Sequence, residues 1–393
     1  MSTEVLIVSA KRTPIGAFLG ALTPLTAVQL GSAAAKAAIQ SAGISAADLQ
    51  EVIMGCVLPA GLGQAPARQA AIGAGVPAAV PATTINKMCG SALKAVMLGA
   101  EQIRAGSAQL ILAGGLESMS NAPYLLPKAR SGYRIGHGEI LDHMFYDGLQ
   151  SPWDGKAMGC FADATATKYQ FTRAQQDAYA AESVRRAVRA VDGGDFDAEI
   201  TPLTLKSRKG EVVVARDETP GTCDLSKITT LKPAFGKDGT VTAASSSSIS
   251  DGAAALVLAS ADVARSRGLK PLARILAYAS HAQEPEWFTT APVGAIAKVL
   301  KQLGWTARDA DLYEINEAFA AVPMAAMHDL ELEHARVNVK GGACALGHPI
   351  GATGARILTT LLYALKQRNA RRGIASLCIG GGEAVAVAVE LVA

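Results

Sequence analysis

Charge, aromatic residues and paired cysteines are all scarce in this sequence, and each shortage excludes a class of protein. Only 18% of the 393 residues are charged, 5% are aromatic, and the net charge is +3. No basic block alternates with aromatic residues, so we do not expect a nucleic-acid partner. The six cysteines include no C-x-x-C pair, so neither a zinc site nor a disulfide framework is expected. We therefore expect the cysteines to be reduced thiols in a protein of a reducing compartment.

Long hydrophobic runs are also missing. None approaches the ~18 residues of a membrane span. The opening MSTEVLIVSAKRTPIG has only a short apolar run with no charged region before it, which predicts a first β-strand and not a signal peptide. We therefore expect a cytoplasmic protein with no membrane partner. Hydrophobic residues nevertheless make up 50% of the chain, enough for two or more globular units with well-buried cores.

Short apolar runs alternate with Ala-rich helical patterns in two parts of the chain. Such alternation is typical of a parallel sheet covered on both faces. In the first part, the predicted strands are 5–10, 51–57 and 110–115, and the predicted helices are 27–43 and 91–106. In the second part, the predicted strands are 254–260, 272–280, 311–316 and 374–381, with a predicted helix at 294–304.

The two parts share a local signature, which favours duplication. GISAAD at 43–48 and GWTARD at 304–309 each end a helix and lead into a strand. The stretch between the two parts has irregular sequence, one charged helix at 173–191 and four serines at 245–248. We interpret it as an excursion laid over the mouth of the sheet, where a substrate would be held. The predicted division is an N-terminal half at 1–118, an inserted loop domain at 119–250, and a C-terminal half at 251–393.

The stretch INKMCGSALKAV at 85–96 places a cysteine at a strand-to-helix turn. Cys89 is followed by Gly90 and Ser91 and then by a helical pattern. A thiol at a helix N-terminus lies at the positive end of the helix dipole, which is expected to lower its pKa and to favour a thiolate nucleophile. An inert buried cysteine is the alternative, because free cysteine is among the residues most often buried.

A second stretch, GGACALGHPIGATGARI at 341–357, surrounds one histidine with five glycines. The glycines let the backbone come close to a bulky group, and a helical pattern follows. The spacing matches neither G-x-x-x-x-G-K-[ST] nor a G-x-G-x-x-G turn after a strand, so a nucleotide motif is not indicated. His348 is thus a candidate catalytic residue, and a purely structural histidine beside Pro349 is the alternative.

Two further stretches carry glycine or amide groups at strand ends. SLCIGGGEAVAV at 376–387 turns through three glycines after Cys378, and their backbone N–H groups could face a developing oxyanion. A tight hairpin between the last two strands is the alternative. YEINEAFAAV at 313–322 places Asn316 where a strand leads into a helix. Its amide could hold a catalytic water, or it could serve as a helix N-cap.

Together these stretches resemble the thiolase family over essentially the whole chain. The cysteine motif, NEAF, GHP-x-G-x-[ST]-G and C-x-G-G-G occur in the family's order and spacing. The resemblance implies an α/β fold of two duplicated halves, layered α-β-α-β-α, with an inserted loop domain. The short length and the NEAF form are most similar to the family's biosynthetic enzymes. This implies acetyl-CoA C-acetyltransferase activity, the reversible Claisen condensation of two acetyl-CoA into acetoacetyl-CoA and coenzyme A.

The resemblance also implies a role for each candidate catalytic residue. Cys89 would be the nucleophile that carries the acyl group as a thioester, and His348 would accept its proton. Asn316 would hold a water that, with His348, binds the thioester oxygen of the second substrate. The backbone N–H groups of Cys89 and Gly380 would form the other oxyanion site. Cys378 would remove a proton from the acetyl α-carbon, which needs a stabilised enolate oxygen because thioester α-protons are weakly acidic.

Coenzyme A is implied to be gripped mainly by the inserted domain. Ser247 corresponds to the family's serine that hydrogen-bonds the pantetheine amide. The other residues at substrate-binding positions of the family are Phe235, Ala243, Ala318, Phe319, Met158 and Phe288.

This chain also departs from the family's pattern in places. Four serines at 245–248 replace Asn-Ala-Ser-Gly. Pro220 stands where many relatives carry an arginine near the nucleotide phosphate. The candidate substitutes for that arginine are Lys227, Arg208 and Lys209. Further departures are Ala157, Phe288, Cys344 and Glu383.

Several alternatives stay open at this point. The nearest is a broader 3-oxoacyl-CoA thiolase of degradative metabolism. A non-catalytic acyl-CoA or lipid carrier on the same scaffold would be expected to lack Cys89, His348 or Cys378, all of which are present. A nicotinamide dehydrogenase is disfavoured, because the first strand leads into SAKRTPIGAF and not a glycine-rich turn.

The expected partners are acetyl-CoA, acetoacetyl-CoA and other copies of the chain. We expect no metal and no cofactor, since the coenzyme A thioesters are substrates. The family resemblance implies a homodimer or homotetramer, with 119–145 as a candidate contact between copies.

Overall fold

Ten strands of this chain form one mixed β-sheet, seen in a computed structural model that describes residues 3–207 and 210–392. Two small two-stranded sheets accompany it. In chain order, the strands are β1 (Val5–Arg12), β2 (Gly16–Ala17), β3 (Glu51–Gly55), β4 (Ala82–Ile85), β5 (Leu110–Ser118), β6 (Tyr124–Leu125), β7 (Leu141–Asp142), β8 (Leu203–Ser207), β9 (Gly210–Val214), β10 (Ser250–Ser260), β11 (Ala273–Ala282), β12 (Leu312–Ile315), β13 (Arg372–Ile379) and β14 (Glu383–Leu391).

Helices cover the sheet and separate its two halves. They are α1 (Ala27–Ala42), α2 (Pro66–Gly73), α3 (Ser91–Ala105), α4 (Met158–Lys168), α5 (Arg173–Asp192), α6 (Ala261–Ser266), α7 (Ala291–Leu303), α8 (Ala321–Asp329), α9 (Ala343–Leu346) and α10 (Thr353–Gln367). A π-helix spans Met144–Leu149. Short 3₁₀ helices lie at Ala46–Asp48, Met119–Asn121, Pro220–Thr222, Leu225–Thr230, Pro285–Thr290, Ala307–Asp309 and His334–Arg336.

The strand order repeats, so the expected duplication is visible in the sheet. The first half reads β3-β5-β10-β1 and the second reads β12-β13-β14-β11. In each half the first pair is parallel and the next two pairs are antiparallel. The halves join where β1 pairs antiparallel with β11 over 5–7.

The prediction of a parallel sheet was wrong for most of the strand pairs. The parallel pairs are β3–β4, β3–β5 and β12–β13, and the other pairs of the large sheet are antiparallel. β13 and β14 are joined by only Gly380–Gly382, which is far too short for the crossover that parallel neighbours need. Strands such as β5, β10 and β13 are buried on both faces, so their apolar runs carry no signal of direction.

One strand lies in a different half from the one predicted. The run at 254–260 was assigned to the second half, but β10 lies between β5 and β1. The insertion returns the chain to the first sheet, so the first half includes residues up to about 260. The three-part division of the chain stays a prediction apart from this strand.

The repeated sequence signature forms the same local structure twice. Gly43 and Gly304 end their helices in the left-handed conformation, with φ of 68° and 65°. After each glycine, a capping box opens a short 3₁₀ turn, from Ser45 to Asp48 and from Thr306 to Asp309. The next strand begins three residues later in both halves.

The layers follow the predicted α-β-α-β-α order. Side chains of α3 and α10 pack in one buried cluster with residues from both halves of the sheet. Helices α1 and α2 cover the outer face of the first half, and α7 and α8 cover the outer face of the second. The central helices therefore begin close to each other, and these beginnings carry the catalytic motifs.

Candidate active site

The turn between β4 and α3 carries Cys89 in a constrained conformation. Met88, the residue before it, has a left-handed φ of 47°, which is uncommon for a side chain of this size. The hydroxyl of Ser91 accepts from the backbone N–H of Lys87 at 2.8 Å and donates to the Met88 carbonyl at 2.6 Å. A Cβ at Gly90 would overlap the side chain of Ile379. Glycine is therefore required there for the two catalytic turns to touch.

The sulfur of Cys89 lies near the backbone N–H groups that are predicted to act as oxyanion donors. Burial raises the pKa of the Cys89 thiol to about 11, while hydrogen bonds from the backbone N–H groups of Gly380 and of Cys89 itself lower it. The expectation that the helix N-terminus depresses this pKa was wrong, because loss of hydration outweighs the backbone donors. In the resting site the thiol is protonated at neutral pH.

Cys378 lies beside Cys89 at the end of β13. Its side chain is fully buried, and its pKa is raised well above the usual value, first by burial and then by the charge of Cys89. A thiolate at this position is therefore a strong base. The next residues form the tight hairpin that was the alternative interpretation, and Gly381 and Gly382 in it have φ of 99° and 89°. The hairpin thus forms at the same glycines whose N–H groups are predicted to face an oxyanion.

His348 is held in one tautomer by its neighbours. Its Nδ1 lies 2.6 Å from the Thr353 hydroxyl, which donates its own hydrogen to the Pro349 carbonyl at 2.9 Å. Because that hydroxyl hydrogen is engaged, Thr353 accepts from Nδ1–H, and Nε2 carries the free lone pair. Burial, and then the charge of Arg356, lower the pKa of His348 to about 3. The ring is a neutral base at pH 7.

The side-chain amide of Asn316 lies next to the Nε2 lone pair of His348. Its Nδ2 lies 3.4 Å from Nε2 of His348, and its backbone N–H donates to Ser376, two residues before Cys378, at 3.0 Å. Among the described residues, its Oδ1 is buried without a hydrogen-bond partner, an arrangement that favours a bound water or ligand. The N-cap interpretation was wrong, since α8 begins only at Ala321.

Two buried carboxylates hold these loops, and the sequence analysis assigned no role to either. Glu117, at the end of β5, accepts from the backbone N–H groups of Val57, Leu58 and Gly351. Burial raises its pKa to about 7, although these hydrogen bonds lower it. The sequence did contain a signal for Glu117, because it is the one charged residue in the otherwise apolar run LILAGGLES.

The second carboxylate, Glu317, follows Asn316 directly. It accepts from the hydroxyls of Tyr179 and Ser183, and from the backbone N–H of Cys344. It therefore braces the loop before His348 against α5. Cys344, a departure from the family pattern, is buried beneath it.

A cavity of about 240 Å³ leads to His348. Four residues predicted to bind coenzyme A line it with the histidine, namely Met158, Phe235, Ser247 and Phe319. The other three lie elsewhere. Ala318 is buried behind Ser247, whose backbone N–H donates to its carbonyl at 3.0 Å. Phe288 is buried against the edge of Phe161 at 6.1 Å, and Ala243 is exposed.

Of the positions predicted to lie near the nucleotide phosphate, the structure describes Pro220 and Lys227. Pro220 is buried in a 3₁₀ turn. Lys227 is largely exposed and pairs with Asp224 at 3.2 Å. The other two candidate substitutes, Arg208 and Lys209, lie outside the described residues.

The whole chain matches one enzyme family. The model for the thiolase N-terminal domain matches residues 5–262, and that for the thiolase C-terminal domain matches residues 269–391. The chain therefore belongs to the thiolase family.

Its sequence relatives carry more specific names. It is 50% identical over 387 residues to an acetyl-CoA acetyltransferase of Pseudomonas aeruginosa, with 98% of each chain covered. It is 49% identical over 390 residues to an acetyl-CoA acetyltransferase of Cupriavidus necator, with 99% of each covered.

Solved structures agree with the fold over the full length. An acetyl-CoA acetyltransferase of Bacillus anthracis superposes with a TM-score of 0.97 at 42% identity, covering 100% of this chain and 99% of the other. A thiolase of Ascaris suum in complex with coenzyme A superposes with a TM-score of 0.94 at 43% identity, covering 99% and 100%. Among the described residues, no helix has the length and apolarity to cross a bilayer.

Proposed function

We propose that this protein is an acetyl-CoA C-acetyltransferase that converts two acetyl-CoA molecules reversibly into acetoacetyl-CoA and coenzyme A through an acetylated Cys89. The observation that carries the proposal is the placement of Cys89 and Cys378 side by side next to the Gly380 backbone N–H, which lowers the pKa of the Cys89 thiol. The full-length relatives named acetyl-CoA acetyltransferase support the acetyl substrate. They give no support to a broader degradative thiolase.

In the first half-reaction, the Cys89 sulfur attacks the carbonyl carbon of acetyl-CoA. Since both the thiol and the imidazole are neutral at rest, the proton passes to Nε2 of His348 as the sulfur–carbon bond forms. The oxygen that becomes negative accepts from the N–H groups of Cys89 and Gly380. Coenzyme A leaves as its thiolate and takes the proton of the neutral Cys378 thiol, which leaves acetyl-Cys89, a Cys378 thiolate and the transferred proton on Nε2 of His348.

In the second half-reaction, a second acetyl-CoA places its thioester oxygen near His348 and Asn316. The unpartnered Oδ1 of Asn316 supports a bound water as one of the two donors to that oxygen. The Cys378 thiolate removes an α-proton, and the enolate carbon attacks the acetyl carbonyl on Cys89. The tetrahedral intermediate collapses with Cys89 as the leaving group, and its sulfur takes back the proton from His348, while Cys378 keeps the α-proton, so all three groups return to their neutral forms.

The remaining parts of the proposal concern partners and location. The coenzyme A thioesters are substrates, and the reaction as drawn uses no cofactor and no metal. A homodimer or homotetramer in the cytoplasm is proposed, with 119–145 as a contact. The exposed apolar side chains in this stretch support the contact, and they include Tyr124, Leu126, Ile135 and Ile140.

Thiolysis across chain lengths tests the proposal. Purified protein should cleave acetoacetyl-CoA with coenzyme A at least about tenfold faster than a C8 3-oxoacyl-CoA, and Cys89→Ser should lose about a thousandfold or more of the rate. Full turnover by Cys89→Ser would refute the covalent route. Equal rates on both chain lengths would favour the broader thiolase, and coenzyme A binding without turnover would favour a carrier.

A further inference from the structure

An ion pair connects the two turns that form the oxyanion site. Lys87 lies two residues before Cys89, and Glu383 lies three residues after Gly380. The Lys87 Nζ and Glu383 Oε2 atoms are 2.5 Å apart, and the two side chains are 25% and 37% exposed. Glu383 is one of the chain's departures from the family pattern, and the reaction above uses neither member of the pair.

The pair completes a ring of contacts around the nucleophile. On one side of the ring, the Gly380 N–H lies near enough to the Cys89 sulfur to lower the pKa of the thiol. On the other side, the ion pair between Lys87 and Glu383 joins the turn that carries Cys89 to the hairpin that carries Gly380. Between them, Ile379 packs so closely on Gly90 that no side chain fits there. The separation of the two turns is therefore restrained at three points, and the ion pair is the only one made by two charged side chains.

We propose that the Lys87–Glu383 ion pair is a positioning device, which holds the Cys89 turn at hydrogen-bonding distance from the Gly380 N–H during acyl transfer. The inference rests on the proposed function. A half-exposed ion pair contributes little to global stability. An oxyanion donor, by contrast, must lie within a few tenths of an ångström of its place, so a small restraint at this point acts on turnover.

Single substitutions that remove one charge test this role. Lys87→Met and Glu383→Gln should each lower kcat for acetoacetyl-CoA thiolysis by about three- to tenfold, with KM for both substrates changed by less than about twofold. The double variant should be no worse than either single one, because the two changes remove the same contact. Charge reversal, Lys87→Glu with Glu383→Lys, should restore at least about half of wild-type kcat.

A neighbouring ion pair supplies the matched control. Lys94 and Glu101 on α3 lie 3.7 Å apart with exposures of 25% and 45%. Lys94→Met should leave kcat within about 1.5-fold of wild type, and it should leave the salt response unchanged. Raising NaCl from 0.05 to about 0.5 M should lower kcat of the wild type and of Lys94→Met, but not that of Glu383→Gln.

Three results would overturn the positioning role. These are wild-type kcat in both single variants, losses that multiply in the double variant, or a change confined to KM. The thermal unfolding midpoint of each variant is measured as a control. Midpoints within about 2 °C of wild type show that a lower kcat does not come from a folding defect. Wild-type turnover is measured in the same assay, so failure of the proposed function would be seen separately, as inactivity of the unmodified protein.

Discussion

At the scale of single residues, the site is built from neutral groups and not from a preformed ion pair. The thiol of Cys89 has a pKa raised to about 11, and the imidazole of His348 has one lowered to about 3, both chiefly by burial. Proton transfer between them is unfavourable until the sulfur bonds to a carbonyl carbon. This couples nucleophile activation to the presence of substrate and protects the cysteine when the site is empty.

The raised pKa predicts how Cys89 reacts with iodoacetamide. Because its folded pKa lies above the unperturbed value, the thiol stays protonated through pH 9, and only the thiolate fraction reacts. The alkylation rate should therefore rise about tenfold per pH unit between pH 7 and 10, without a plateau. Mass spectrometry of the Cys89 peptide at each pH measures this. A plateau near pH 8.5, the ordinary range for cysteine, would contradict the effect of burial.

At the scale of elements, the beginning of α10 determines the chemistry of His348. Thr353 is the first residue of α10, and the turn from Pro349 places its hydroxyl against Nδ1 of the ring. The [ST] position of the motif GHP-x-G-x-[ST]-G is thus the first residue of a helix, and its hydroxyl selects the His348 tautomer that is protonated on Nδ1. The sequence identified the histidine, but the direction of its lone pair depends on how the turn closes.

Replacing the hydroxyl at this helix start should impair turnover. Thr353→Val keeps the shape and leaves a buried Nδ1–H without an acceptor, so the other tautomer becomes available. We expect kcat to fall about 10- to 100-fold, the equivalent of about 1–3 kcal/mol. Thr353→Ser retains the hydroxyl and should stay within about threefold of wild type. Similar rates for the valine and serine variants would refute the tautomer argument.

The positions of helices could be predicted from the sequence, because a few neighbouring residues determine where a helix forms and ends. The helices predicted at 27–43, 91–106 and 294–304 follow from apolar spacing and glycine caps. All three are present and end at the predicted glycines, although the third begins earlier, at Ala291. The direction of strands was not predictable in the same way. Strands buried on both faces look alike whether their neighbours run parallel or antiparallel. The membership of β10 in the first half likewise depends on the path of an insertion of more than a hundred residues.

At the scale of the whole molecule, one buried charge network fastens the insertion to the sheet. Arg12 at the end of β1 is fully buried, with Nε 2.6 Å from Glu199 and Nη1 2.7 Å from Asp217. Both acids belong to the insertion. The layered halves can therefore keep the insertion, which is proposed to bind coenzyme A, in one position against the sheet.

Breaking this network should destabilise the protein. Arg12→Met leaves two carboxylates buried without their partner, and we expect the free energy of unfolding to fall by about 3–5 kcal/mol. Urea unfolding followed by circular dichroism measures the change. Arg267, which pairs with Asp48 at 2.7 Å nearer the surface, is the control, and Arg267→Met should cost under about 1 kcal/mol. Equal losses in the two variants would contradict the anchoring role of Arg12.

The amino-acid sequence by itself determined the chemical groups available to this protein and the local turns that carry them, because glycine spacing, helix caps and apolar periodicity act over a few residues. Only the tertiary structure decided how far burial shifts each pKa and which carboxylates brace the loops. These depend on residues hundreds of positions apart that share one low-dielectric interior, and no pattern along the chain records their separation.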